Sequence, residues 1–168
     1  AFAAGALLSA TFFHILPEIH VESNAPFLAL GFMSFYVLEK IMMIHACGEG
    51  ECDAHQIGPI AVFGMALDNI VDGAGIVVAY LVSPSLGLAV TLAVVLHEIP
   101  QGMTSVLIMR EAKWSRAKMF FTLGFAGLLY PLGALLAGLM PDEGFRQKML
   151  AFIAGDFLYI AAGDLLPE

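Results

Sequence analysis

The chain has 168 residues, 60% of them hydrophobic and 13% charged, with a formal net charge of −8 and a mean hydropathy of +0.86. Soluble domains average roughly 45–50% apolar residues, so an ordinary soluble domain is excluded and the bilayer is the solvent this sequence fits. The net charge says little about partners, because acidic residues inside membrane spans count differently from those in water; nothing in it points to nucleic acid.

A transmembrane helix needs about 20 mostly apolar residues, and six segments qualify, approximately 2–19, 25–46, 57–82, 86–109, 117–140 and 146–166. Their connections are short. The expected fold is therefore all-α, a polytopic transmembrane helix bundle forming one domain over residues 1–168, with lipid around it.

The first span starts at Phe2 with no basic n-region and no small-residue cleavage site after it, so it does not read as a signal peptide. His14 stands three residues before Pro17 near its end, as an entrance ligand or an interfacial hydrogen-bonder. The second span carries Glu39 and ends near Lys40.

The loop that follows, HACGEGECDAH, holds both cysteines, Cys47 and Cys52. Lys and Arg mark the cytoplasmic side of a membrane protein. Lys40, Arg110, Lys113, Arg116 and Lys118 lie on one face and only Arg146 and Lys148 on the other, which makes this loop cytoplasmic. Reduced thiols are then expected. His45, Cys47, Glu49, Glu51, Cys52, Asp53 and His55 form either a metal-collecting loop or a solvated acidic turn.

The third and fourth spans carry matched polar motifs at an offset of 29, DNIVDG (68–73) and HEIPQG (97–102). Asp68 and Asp72 are four apart and share a helix face, with Asn69 close to it; His97, Glu98 and Gln101 repeat that geometry. All six fall near the middle of their spans, where an ionisable group is costly unless it pairs, binds a metal or lines a wet path. Carboxylates and an imidazole facing one another suit Zn²⁺, Fe²⁺ or Mn²⁺. Pro100 removes its own N–H and displaces the Leu96 carbonyl, so a kink beside the ligands is expected. Gly73 and Gly102 close the motifs and are expected to permit close helix approach.

The HEIPQ segment also resembles a zinc-peptidase motif, which needs two histidines at i and i+4. Gln101 stands where the second histidine would be, so an intramembrane metallohydrolase is the alternative to a transporter. The bland alternative is that the polar residues only join two helices.

The last span carries Asp156 and Asp164, suited to proton or metal movement or to hydrogen bonds between helices. Met42, Met43, Met65, Met103 and Met109 are expected to pack against neighbours or lipid rather than bind copper, since neither midplane motif contains sulfur.

At an offset of 150, FAAGALLSATFFHILPE (2–18) aligns with FIAGDFLYIAAGDLLPE (152–168), matching at seven of seventeen positions. In both repeat pairs the partners cross the membrane in opposite senses, as an inverted repeat requires. The second and fifth spans lack counterparts within the chain. The symmetry thus predicts an eight-helix parent arranged three, two, three, with its first and last helices outside these residues.

With Asp68-Asn69-Ile70-Val71-Asp72-Gly73 and His97-Glu98-Ile99-Pro100-Gln101-Gly102 in adjacent spans, and Leu-Pro-Glu closing the first and last, the sequence resembles the ZIP family of divalent-metal transporters, second through seventh helices. The resemblance implies no enzymatic activity but metal uptake toward the cytosol, a multi-pass location in a plasma or prokaryotic inner membrane, and alternating access in which the third to fifth spans slide against the second and sixth. A homodimer is compatible with it. It implies Asp68, Asp72, His97 and Gln101 at one metal position, and Asn69, Asp72, Glu98 and Gln101 around a second in binuclear members. Asp72 and His97 are then the principal ligands, Asp68 and Glu98 next, Asn69 and Gln101 auxiliary. Two departures stand out: Asp68 replaces the usual histidine, and Gln101 brings no charge to offset repulsion between two cations. One strong metal position is expected, with selectivity broadened toward Mn²⁺ or Fe²⁺.

Overall fold

The computed structural model describes residues 1–46, 54–139 and 142–165, with side chains at 1–41, 59–139 and 142–163. The cysteine-bearing loop, Met42, Met43, the Asp164 side chain and the closing Leu166-Pro167-Glu168 lie outside those described.

Six helices run in chain order: α1 (Phe2–Glu18), α2 (Val21–Ala46), α3 (Ala54–Val82), α4 (Pro84–Glu111), α5 (Arg116–Gly138, with a break at Leu128) and α6 (Glu143–Tyr159, continuing as a π-helical turn over Ile160–Leu165). No strand occurs among the described residues. The molecule is an all-α helix bundle, as composition required.

Four of the six expected spans, within α2, α3, α4 and α5, are individually long and apolar enough to cross a bilayer. Phe2–Glu18 is a shorter apolar helix, and at about 1.5 Å per residue it covers less than the roughly 30 Å of hydrocarbon. The regular part of α6 is 17 residues long and opens with Glu143, Arg146 and Lys148, which lower its hydropathy.

Polar caps start the helices a few residues before the apolar runs. Ser83 accepts a hydrogen bond from the Leu86 amide with Pro84 at the first helical position, Ser115 accepts from Lys118, and Asp142 accepts from Phe145; each satisfies an amide that the helix leaves unpaired. Between α4 and α5, Lys113 adopts a left-handed conformation at φ 56°. Its amide donates to the Arg110 carbonyl and that of Trp114 to Met109, a Schellman closure that usually employs glycine.

Two helix pairs meet backbone to backbone. A Cβ on Gly73 would collide with the Tyr130 carbonyl, and one on Gly133 with the Ile70 carbonyl, so α3 and α5 interlock through reciprocal glycines. α2 and α6 do the same: Gly31 faces the Phe152 carbonyl and Gly155 that of Leu28. Small residues at such crossings allow the close packing on which helix association in lipid depends. Gly102 is otherwise: a Cβ there would meet nothing within 4 Å, so the second motif glycine makes no close approach of the kind expected.

The core joins α1, α3, α4 and α6 through Leu7, Val78, Val90, Ile153 and Phe157. A smaller cluster at the other end of α3 to α5 holds Met65, Met109 and Ala126 against Trp114 and Met119. Met65 and Met109 thus pack against neighbours, and Met103 is exposed on a span long and apolar enough to cross a membrane, where lipid is its expected neighbour.

Candidate metal centre

α3 and α4 lie side by side and bring their motifs into register. Asp68, Asn69, Asp72 and His97 are all buried; Glu98 and Gln101 are half-buried. Asp68, Asp72, His97 and Glu98 each offer one ligand atom within 4.8 Å of all the others. Zinc bonds of about 2.0 Å in a tetrahedron put ligand atoms roughly 3.3 Å apart, so small side-chain rotations would close this group around one ion.

His97 is oriented by its own helix. Its Nδ1 lies 3.1 Å from the Ala93 carbonyl oxygen, which only accepts, so Nδ1 carries a proton and Nε2 is the nitrogen turned to the aspartates. Nε2 is 3.2 Å from Asp72 Oδ2 and 4.0 Å from Asp68 Oδ2, and the approach to Asp72 is too oblique for a hydrogen bond. A proton or a metal ion held between them offsets the charge of the two carboxylates. The Phe157 ring of α6 closes the far side of the imidazole, edge-on with centroids 6.1 Å apart.

Each of the four residues has an acceptor that no hydrogen bond satisfies among the described residues: Asp68 Oδ1, Asp72 Oδ1, His97 Nε2 and Glu98 Oε1. Buried polar atoms are nearly always partnered. Unsatisfied acceptors on four clustered side chains from two helices suit the coordination of a small divalent ion.

Gln101 and Asn69 act through their amide nitrogens. Gln101 Nε2 donates to Asp68 Oδ2 at 2.8 Å, fixing that carboxylate. Asn69 Nδ2 donates across to the Ala126 carbonyl of α5 at 2.9 Å, leaving Asn69 Oδ1 buried without a partner. No second imidazole joins the cluster among the described residues, so the paired-histidine geometry of a zinc peptidase does not assemble around HEIPQ.

One contributor escapes the motifs. Tyr130, in the middle of the apolar α5, donates its hydroxyl to Asp72 Oδ2 at 3.4 Å, and the Glu98 carboxylate is its other polar neighbour. Its signal in the sequence is faint but physical: a tyrosine deep in an apolar helix needs a partner for its hydroxyl.

The remaining candidates stand apart. His14 is exposed. Glu39 is half-buried, 4.0 Å from the Lys40 ammonium. Asp156 is fully buried on α6, next in the chain to Phe157.

A family model described as ZIP Zinc transporter matches residues 48–168. Zinc transporter ZIP13 of Pongo abelii is 31% identical over 189 residues, covering 99% of this chain and 56% of the relative. Its counterpart in Mus musculus is 26% identical over 220 residues, covering 99% and 60%. An uncharacterized zinc transporter of Schizosaccharomyces pombe is 30% identical over 112 residues, covering 60% and 25%. The chain thus spans somewhat over half the length of the curated relatives it matches along its whole extent. No solved structure matches it.

Proposed function

The chain belongs to the ZIP family of zinc transporters, and from that premise we propose that it carries Zn²⁺ across the membrane toward the cytosol through the cluster between α3 and α4. The observation that carries this reading is the convergence of ligand atoms from Asp68, Asp72, His97 and Glu98 in mid-helix, each residue also having a buried acceptor without a hydrogen bond. Asp72 and His97 are the principal ligands. Gln101 orients Asp68, and Asn69 ties α3 to α5. Three carboxylate oxygens beside a single nitrogen also suit Fe²⁺ or Mn²⁺, which compete with zinc for the same position.

Movement of the ion requires the site to open to one side and then the other. The interlocked glycines support a division of labour in which α3, α4 and α5 travel together while α2 and α6 stay paired. The ligands and the Tyr130 hydroxyl then ride on one body, so ion and cage move together. Residues 1–168 act as one transmembrane unit in this scheme, in a plasma or prokaryotic inner membrane, as a monomer or a homodimer.

The test is ⁶⁵Zn uptake into cells or proteoliposomes carrying the wild-type chain, Asp72→Ala, His97→Ala and the double variant. Uptake is expected in the wild type and lost in all three variants, with the variants still folded by circular dichroism. Unaltered uptake by the double variant would sink the assignment. Cleavage of a membrane substrate that depends on Glu98 would redirect it to a hydrolase.

A further inference from the structure

We propose that the connection between α4 and α5 is a binding site for an anionic membrane phospholipid, whose phosphate is held between Arg110 and Arg116 beside Trp114. The site lies apart from the metal cluster and does not depend on it.

Arg110 stands at the end of the α4 span and Arg116 at the start of that of α5, so the connection sits where hydrocarbon gives way to headgroups. With Trp114 and Met119 the two arginines line an open cleft of about 450 Å³, within the roughly 300–1,000 Å³ of small-ligand sites. Its floor is held in place. The left-handed turn at Lys113 returns the Trp114 amide to the Met109 carbonyl, and Trp114 and Met119 pack on the cluster of Met65, Met109 and Ala126. The Lys118 ammonium stands over the indole, 3.5 Å from its ring centroid.

Four of the nine residues from Arg110 to Lys118 are cationic. Among the described residues no carboxylate pairs with any of them, not even Glu111, the single acidic residue of the stretch. Charge asymmetry across the membrane explains which side these residues occupy, but not why two arginines share a cleft with an indole. Arginine suits phosphate oxygens, which its planar fork can bind two at a time.

The helix surfaces leading to the cleft mark the anion as a lipid's. On α4, Met103 and Leu107 are exposed, seven and three residues before Arg110 and on its face; on α5, Phe120 is exposed one turn after Arg116. α4 and α5 each pack on α3 and far less on one another, and a Cβ at Gly102, Gly124 or Gly127 would meet nothing within 4 Å. An acyl chain lying on this open apolar surface sets its phosphate at the arginines. Inorganic phosphate has no use for that surface.

Trp114 is the chain's only tryptophan, so its fluorescence reports on the cleft. The full chain in detergent micelles is titrated with phosphatidylglycerol carrying brominated acyl chains, which quench an indole on contact, and separately with phosphatidylcholine carrying the same chains. Half-quenching is expected at a lower mole fraction of phosphatidylglycerol than of phosphatidylcholine. A basic side chain near an anionic surface strengthens binding about fivefold. Arg110→Gln and Arg116→Gln should each raise the phosphatidylglycerol requirement by about that factor, and the double variant by on the order of 25-fold, while Arg146→Gln/Lys148→Gln, at the start of α6, should leave it unchanged. Each single variant carries the test should the double variant misfold. Equal quenching by the two lipids in the wild type, or an undiminished preference in both folded single variants, would overturn the site. Relief of the quenching by inorganic phosphate would assign the cleft to a free anion and overturn the lipid.

Discussion

Gly133 offers a direct test of how α5 is held. Replacing it with alanine places a Cβ against the Ile70 carbonyl oxygen and 3.0 Å from the Ala74 nitrogen. Both neighbours are backbone and cannot rotate aside, so α5 must retreat from α3 by on the order of 1 Å, at a strain of about 1–3 kcal/mol. Gly124, on the same helix, meets nothing within 4 Å and serves as the control. Both substitutions share the gain of about 1 kcal/mol that alanine brings to a helix interior, so the difference between the variants is the strain alone. At about 2–4 °C per kcal/mol for a chain of this size, Gly133→Ala should melt roughly 2–12 °C below Gly124→Ala in a thermal-shift assay in detergent. The retreat also draws the Tyr130 hydroxyl away from Asp72, so zinc affinity should change in Gly133→Ala and not in Gly124→Ala. Equal melting temperatures, or a higher one for Gly133→Ala, would refute the interlocked geometry.

Zinc must displace any proton held at His97 Nε2, so affinity should weaken by up to about tenfold per pH unit as the solution is made acidic enough to protonate that nitrogen; calorimetric titration across mildly acid to neutral pH checks the sign, and affinity that rises toward acid would contradict it. Lys113→Gly removes the cost of a side chain in the left-handed region, roughly 1–2 kcal/mol, less the backbone entropy that glycine adds, so its melting temperature should rise by a few degrees. Asp142→Ala leaves the Phe145 amide without its cap, and about 1 kcal/mol of stability should go with it, read from the same melting curves; Asp142→Ser should restore most of it.

Much of this molecule is written in local chemistry. Span positions follow from apolar runs because the bilayer leaves a backbone little choice but helix. Helix starts were legible only to within a few residues by that signal, since α4, α5 and α6 are capped by Ser83, Ser115 and Asp142, polar residues that a hydropathy reading passes over. The shared face of Asp68 and Asp72 follows from their four-residue spacing, and His97 and Glu98 come to it as consecutive residues of the neighbouring helix. What spacing does not reveal is which groups a third helix brings. Tyr130 belongs to no motif, and Asn69, grouped with the ligands by position, turns its amide to the Ala126 carbonyl instead. The glycines make the same point: Gly73 and Gly102 hold equivalent places in their motifs, yet only Gly73 has a neighbour close enough to require it.

The repeat between the first and last helices is carried by backbone where side chains no longer match. α1 widens into a π-helical turn over Ala10–Ile15 and α6 over Ile160–Leu165, the same six positions at the offset of 150. ATFFHI and IAAGDL share no residue in register, so identity of side chains is not what reproduces the turn. In α1 the cause lies just beyond the turn: Pro17 has no N–H to return to the Phe13 carbonyl, and its ring crowds that oxygen, so the turn before it opens. Pro167 stands in the same relation to Gly163 in the sequence. π turns of this kind are frequent at functional sites. In this chain the residues so placed include His14 and, at the matching position, Asp164. Two ionisable residue types thus occupy matching sequence positions in the two π-helical turns, in helices that pack beside α3 and α4.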